Sequence, residues 1–230
     1  MTIDEFKRQV GERAAAMVRS GSVVGLGSGS TARYATLSIA ERLRSGELRD
    51  VVGIPTSEET AALARERGIP LTTLEQHGTI DITVDGADEV DPQWNVIKGL
   101  GGFLLREKVV AYATRVEVMV VDETKLVSQL CQKSPVPVEV LQFGWKNTAR
   151  GLEQTGARPV LRMRGDLPFV TDEGNWILDC HYEPIADPEG LACKIKAIPG
   201  VVEHGLFLGM VHSVVVAGKD GVRLLERRPV

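Results

Sequence analysis

Short β-branched runs alternate with helix-length amphipathic stretches through the first half of the chain. That alternation constrains the fold more than any other feature. Residues 22–26, 51–54, 80–84 and 116–121 read as buried strands. Helical spacing fills the intervals. Phe6, Val10, Ala14, Met17 and Val18 form one stripe over residues 3–19. Further helices are expected over 33–43, from Ser57 as an N-cap through 67, and over the stretch carrying Arg106, Glu107 and Lys108. Parallel strands need crossover connections, and helices supply them. The expected fold class is therefore α/β, a Rossmann-like, mainly parallel sheet with helices on both faces.

The texture changes near residue 134. Pro135 and Pro137 in the segment 134–140 suit an edge strand or a linker. Residues 148–155 and 188–198 read as helices, and 158–164 as a strand. Residues 169–171 and 176–179 resemble a hairpin around 172–175. These elements suggest a smaller α+β, ferredoxin-like domain. Boundaries are set at 134–205 for that domain and at 1–133 with 206–230 for the larger one. Leu206, Phe207 and Leu208 read as a core strand.

The net charge of −4 argues against a nucleic-acid surface. No apolar run reaches membrane-spanning length, and residues 1–20 lack a signal-like apolar core. A cytoplasmic location is expected, with no membrane partner. Cys131, Cys180 and Cys193 are odd in number and widely spaced, which fits reduced thiols. His77, His181, His204 and His212 show no pairing at helical spacing, so no metal site is assigned.

Two stretches carry chemistry. In residues 81–108 a strand delivers Asp85, Gly86, Ala87 and Asp88 at its carboxyl end. Lys98 and the turn Gly99, Leu100, Gly101 follow, then Glu107 on a helix. Ligands of open α/β sheets bind beyond the carboxyl ends of strands. A carboxylate beside a lysine can move a proton while the ammonium stabilises developing negative charge. Earlier, the strand at 22–26 runs into Gly27, Ser28, Gly29, Ser30 and Thr31 and then a helix. Such a loop offers N–H groups and hydroxyls to an anion. The bland alternative is a simple turn with Ser30 or Thr31 as N-cap. Spacing alone leaves Lys7 a solvated lysine, and Lys125 a loop charge able to approach the same cleft.

Four blocks in order, GLGSGSTA (25–32), VDGADEVD (84–91), KGLGGFLLREK (98–108) and DETK (122–125), resemble the A-type ribose-5-phosphate isomerase family. The resemblance extends to PVPVEV (135–140), TDEGNWILD (171–179) and IPGVVEHGLF (198–207), covering essentially the whole chain. It implies interconversion of D-ribose 5-phosphate and D-ribulose 5-phosphate through an enediol, without metal or nucleotide cofactor. It further implies Glu107 as general base, with Asp85 and Lys98 assisting ring opening and holding the enediolate oxygen. Asp88 would bind substrate hydroxyls and help hold Lys98. Ser28, Gly29, Ser30, Thr31, Lys7 and Lys125 would hold the phosphate, and Gly86, Ala87, Gly99, Leu100 and Gly101 would line the pocket. Family members are homodimers or homotetramers, to which the small domain commonly contributes. This chain departs at Ser28, Leu100 and Phe103, and no departure removes a catalytic group.

Three other readings fit less well. A sugar-phosphate-sensing module normally carries a DNA-binding segment, and here the phosphate loop already begins at residue 25. An acyl-CoA transferase needs a nucleotide-sized channel, whereas the lysines here suit a small phosphate. A dinucleotide oxidoreductase needs G-x-G-x-x-G, and Ala32 occupies the third glycine position.

Overall fold

The computed structural model describes residues 3–219 and 221–226. In chain order its elements begin with α1 (Ile3–Ala15), β1 (Val23–Leu26), α2 (Ala32–Arg44), β2 (Val52–Pro55) and α3 (Glu58–Glu66). Then come β3 (Ile80–Gly86), β4 (Glu89–Val90), β5 (Val96–Ile97), α4 (Leu104–Tyr112), β6 (Thr114–Asp122) and a 3-10 turn (Glu123–Lys125). The second half adds β7 (Val136–Val140), α5 (Trp145–Glu153), β8 (Arg158–Leu161), β9 (Met163–Arg164), β10 (Leu167–Pro168) and β11 (Trp176–His181). The last elements are α6 (Pro188–Lys196), β12 (Val201–His204), β13 (Leu206–Phe207), β14 (Ser213–Gly218) and β15 (Gly221–Glu226). Two compact units result, and the chain passes between them after Ala87, Leu105, Lys125 and Gly209.

The first unit is built on a sheet of order β15-β14-β6-β3-β1-β2, in which every pairing except β14 with β15 is parallel. Its strands are short and Val/Ile-rich because both faces are covered. Val24, Leu26, Ile82, Val84, Val118 and Val120 pack with Val10 and Ala14 of α1 and Ala35 and Ile39 of α2. Val23 and Ile54 cluster instead with Val110 of α4. Val23 alternates with Val24 along β1, so helices lie on both faces as expected. The strand order reverses between β1 and β3, which makes their carboxyl ends the crevice of this sheet. Helix α1 ends at Ala15, three residues before Val18, the last member of its apolar stripe. Met17 and Val18 continue it through tight bonds, Met17 N–H to the Ala14 carbonyl and Val18 N–H to the Ala15 carbonyl, each 3.0 Å.

The second unit contains a four-stranded antiparallel sheet of order β12-β7-β11-β8 with α5 and α6 between its strands. The sequence β7-α5-β8-β11-α6-β12 in that order is the ferredoxin-like split βαβ arrangement. Two details differ from the sequence reading. The proline-bearing segment is neither edge nor linker, since β7 lies between β12 and β11. Pro137 is tolerated there because its carbonyl accepts Gly205 N–H at 2.7 Å, while the Gly205 carbonyl accepts Lys98 N–H at 2.9 Å. The donor that proline lacks is thus supplied by Lys98. Second, residues 169–171 form no strand. Thr171 N–H donates to the Asn175 carbonyl at 2.9 Å, closing a turn, and β11 pairs with β7 and β8 instead.

The composition-based boundaries also shift. Residues 88–105, 126–133 and 206–209 group with the second unit. Hydrogen bonding explains it: β5 pairs with β13, and the buried Glu89 carboxylate accepts N–H groups from Cys131, Lys133 and Ser134, each at 2.6 Å. From Ser213 onward the chain does return to the large sheet. Residues 1, 2, 220 and 227–230, which the sequence reading placed in the larger domain, lie outside the described residues.

Glu139 on β7 is buried and accepts from Thr171 Oγ1 at 2.8 Å and Asn175 Nδ2 at 2.9 Å. Burial pushes its carboxyl above the ordinary range, and the two hydrogen bonds only partly oppose this. A raised folded-state value means stability present below the unfolded pKa and lost as pH rises through the folded one. Glu139→Gln is therefore expected to gain stability relative to wild type as pH rises from about 4 to 8. Urea unfolding across that range checks it; a difference that is flat or shrinks with pH contradicts it.

Candidate functional site

In the first unit the crevice is organised by one carboxylate. Asp85 closes β3 and is 1% exposed, and its Oδ1 accepts Ser28 N–H at 3.1 Å and Gly86 N–H at 2.7 Å. Gly27 N–H reaches back to the Val84 carbonyl at 3.0 Å. A Cβ at Gly27 would collide with Asp85 Oδ1 and the Val84 carbonyl, so only glycine permits this approach. Gly29 sits at φ +91°, which turns the loop into α2. Thr31 holds the N-cap position of α2 without a side-chain cap bond. The first-turn N–H groups of the helix are thus not consumed by that hydroxyl. Gly29 and Ser30 are exposed and Thr31 half-buried, whereas Ser28 is buried. The structure therefore turns the Ser28 side chain inward and leaves its three successors outward.

Lys7 and Thr31 line one cavity of about 310 Å³ with Asp122, Thr124, Gly218 and Lys219. That lining stops one residue short of Lys125, which is half-buried on the 3-10 turn. Glu107 lies in the first turn of α4 and is 6% exposed. Its neighbour Arg106 pairs with Glu58 at 2.7 Å, an ion pair that holds Glu58 below the ordinary carboxylate range.

In the second unit Lys98 follows β5 and is 2% exposed. Its Nζ sits over the Phe207 ring, 5.6 Å from the centroid, and its N–H is fixed by Gly205 as described. Asp88 donates its N–H to the Ile97 carbonyl at 2.8 Å and accepts Leu100 N–H on Oδ2 at 3.0 Å. The Leu100 side chain is exposed. Gly102, at φ +91°, lets the loop lie against Phe169 where any Cβ would collide with the ring. Among the described residues, no three His, Cys, Asp or Glu side chains group as a metal cluster.

Sequence reasoning missed Arg162. Its Nη1 donates to the carbonyls of Gly99 at 2.9 Å and Leu100 at 3.0 Å. The same guanidinium pairs bidentately with Asp179, and its centre lies 5.9 Å from the Phe169 ring centroid. One arginine thus ties the small sheet to the Lys98 loop. The only signal available was a charged residue inside an otherwise strand-like run, which usually marks a solvated face.

The family model for ribose 5-phosphate isomerase A (phosphoriboisomerase A) matches residues 52–221. Ribose-5-phosphate isomerase A of Roseiflexus castenholzii is 54% identical over 222 residues, covering 96% of this chain and 95% of the relative. Ribose 5-phosphate isomerase from Plasmodium falciparum has a TM-score of 0.96 at 41% identity, covering 99% of this chain and 100% of that one. A D-ribose-5-phosphate isomerase structure in complex with phospho-erythronic acid has a TM-score of 0.96 at 42% identity, with coverage of 99% and 100%.

Arg162→Met strips the guanidinium and leaves Asp179 largely buried without its partner. Loss of about 3 kcal/mol in urea unfolding is expected, and Arg162→Lys recovers less than half of it because lysine lacks the planar fork. A loss below about 1 kcal/mol for Arg162→Met contradicts the clamp.

Proposed function

The chain belongs to the ribose 5-phosphate isomerase A family and interconverts D-ribose 5-phosphate and D-ribulose 5-phosphate; on that premise we propose that Glu107 is the base that moves the proton between C2 and C1. The observation that carries this is the burial of the Glu107 carboxylate in a unit where Asp85, likewise buried, closes the crevice strand. Burial favours the neutral form of a carboxyl and so strengthens the carboxylate as a base. The reaction is the aldose–ketose step of the non-oxidative pentose phosphate pathway.

The steps balance within the substrate. Opening of the furanose moves the O1 proton to the ring oxygen, assisted by Asp85 and Lys98. Glu107 then takes the C2 proton as the C1 carbonyl becomes an enediolate oxygen, and the Lys98 ammonium stabilises that charge. The O2 proton passes to the enediolate O1, and Glu107 returns its proton to C1 as the C2 carbonyl forms, leaving the ketose. Asp88 binds substrate hydroxyls and steadies Lys98; Gly86, Ala87, Gly99, Leu100 and Gly101 line the substrate. Asp85 and Asp88 are three residues apart, so the chain itself keeps their Cα atoms within about 11 Å. That span supports action on one small sugar.

The phosphate is held by Gly29, Ser30 and Thr31 of the loop that Ser28 opens, with Lys7 and Lys125. Phospho-erythronic acid, named in the complex of the related isomerase, is a sugar-acid phosphate of the same chemical class. We further propose a cytoplasmic homodimer or homotetramer, with the 134–205 region contributing to assembly and no nucleic-acid partner. The net charge of −4 supports the last point, and no described helix is long and apolar enough to cross a membrane.

Glu107→Gln preserves shape and removes the base. Turnover is expected to fall about 10³-fold, within the usual range for general-base loss, with KM within about threefold. A near-normal rate removes Glu107 from this role. Lys125→Ala is expected to raise KM about tenfold with little change in kcat, because phosphate contacts serve ground and transition states alike. A large fall in kcat at constant KM contradicts the assignment.

A further inference from the structure

Four buried hydroxyls hold the glycine loop from behind. Ser28 Oγ lies 2.7 Å from Thr56 Oγ1, 2.7 Å from Ser57 Oγ and 3.1 Å from Thr60 Oγ1. Thr56 Oγ1 donates to the Leu26 carbonyl at 3.1 Å, and Thr60 Oγ1 to the Gly27 carbonyl at 3.2 Å. Ser57 Oγ donates to Thr60 Oγ1 at 3.1 Å and accepts Thr60 N–H at 3.0 Å, which caps α3. Exposure is 6% for Ser28 and Thr60 and 0% for Thr56 and Ser57.

A hydroxyl offers one proton and two lone pairs. Ser28 Oγ gives its one proton to Ser57 Oγ, and the Ser28 N–H is committed to Asp85. Residue 28 therefore has neither its hydroxyl proton nor its N–H left to donate to a substrate phosphate. Its partners grip the loop at the two carbonyls just before it, Leu26 and Gly27.

We propose that Thr56, Ser57 and Thr60 are positioning residues for the substrate phosphate, acting through Ser28, whose own hydroxyl does not touch it. The inference rests on the reading that the 27–31 loop binds that phosphate. A glycine loop left unanchored must be ordered each time it binds, which weakens affinity. Phosphate contacts persist into the transition state, so the loss falls on KM and spares kcat. Because Ser28 Oγ is common to the contacts, removing either end of a pair releases the same anchor, and the two losses do not add.

The test uses steady-state kinetics with D-ribose 5-phosphate and competitive inhibition by inorganic phosphate. Ser28→Ala and Thr60→Val are each expected to raise KM and the phosphate inhibition constant about fivefold, with kcat within about twofold. The double variant is expected to match either single one within about twofold, and Thr60→Ser to restore wild-type values. Unchanged constants in Thr60→Val alongside a rise in Ser28→Ala overturn the proposal, since that pattern means direct contact by Ser28. A fall in kcat at constant KM overturns it as well. Thr31→Ala separates the underlying reading: if it leaves both constants unchanged, the loop does not bind phosphate. If Thr31→Ala raises them while Ser28→Ala and Thr60→Val do not, only the positioning role fails. Should Thr60→Val not fold by circular dichroism, Thr56→Val takes its place with the same expected and overturning results.

Discussion

Asp85 Oδ1 receives two backbone N–H groups, from Ser28 on the loop after β1 and from Gly86 at the end of β3. These strands are parallel neighbours at the point where the sheet order reverses, so their carboxyl ends emerge side by side. A single buried oxygen thus couples the glycine loop to the strand that presents the acids. The absence of a side chain at Gly27 is what allows the approach. The other wall of the loop is the hydroxyl cluster of Thr56 and Ser57, between β2 and α3, and Thr60 on α3, so the loop is fixed on both sides by neutral donors and one carboxylate.

In the second unit the corresponding constraint is Gly205. It takes β12 out of the four-stranded sheet and into β13, which pairs with β5, and its carbonyl fixes Lys98 N–H. A side chain there would collide with the Lys98 carbonyl and Pro137. The acidic motif around residue 88 divides by task. Glu89 is consumed by three backbone N–H groups, and Asp91 accepts from Gln93 N, Asn95 N and Asn95 Nδ2. These two carboxylates brace the strand pair, which leaves Asp85 and Asp88 for the substrate in the proposed mechanism. Cys131 lies in the segment Glu89 holds, and burial with the Glu89 charge pushes its thiol up to about 12, as expected of an inert structural cysteine.

The alternating strand and helix periods made the large sheet legible, and the α5 and α6 regions with the following strands made the small domain legible. What stayed hidden depended on contacts between distant residues. Pro137 signalled an edge because proline lacks a donor, and nothing local shows that Lys98 supplies it. The 88–105 segment reads as part of the first domain because it follows β3 directly, yet its pairing partner, β13, lies more than a hundred residues away. Thr56, Ser57 and Thr60 look like an ordinary helix start, which they also are. Arg162 gives no periodic signal at all. A strand end and a glycine turn singled out Asp85, Asp88 and Lys98 as candidates, whereas Lys7 stood out only through the family resemblance and the residues that brace the candidates carried no signal.

Proton transfer through an enediolate is the central claim, and hydrogen exchange at the reacting carbons reads it directly. The measurement is NMR of D-ribose 5-phosphate turned over in heavy water by the wild-type chain, following C2 of the aldose and C1 of the ketose. Solvent deuterium is expected at both positions over repeated turnovers, because a carboxylate that holds the proton between steps exchanges it. Quantitative passage of the C2 hydrogen to C1, with no deuterium in either sugar after many turnovers, contradicts exchange from the carboxylate and leaves a shielded proton transfer or a hydride shift.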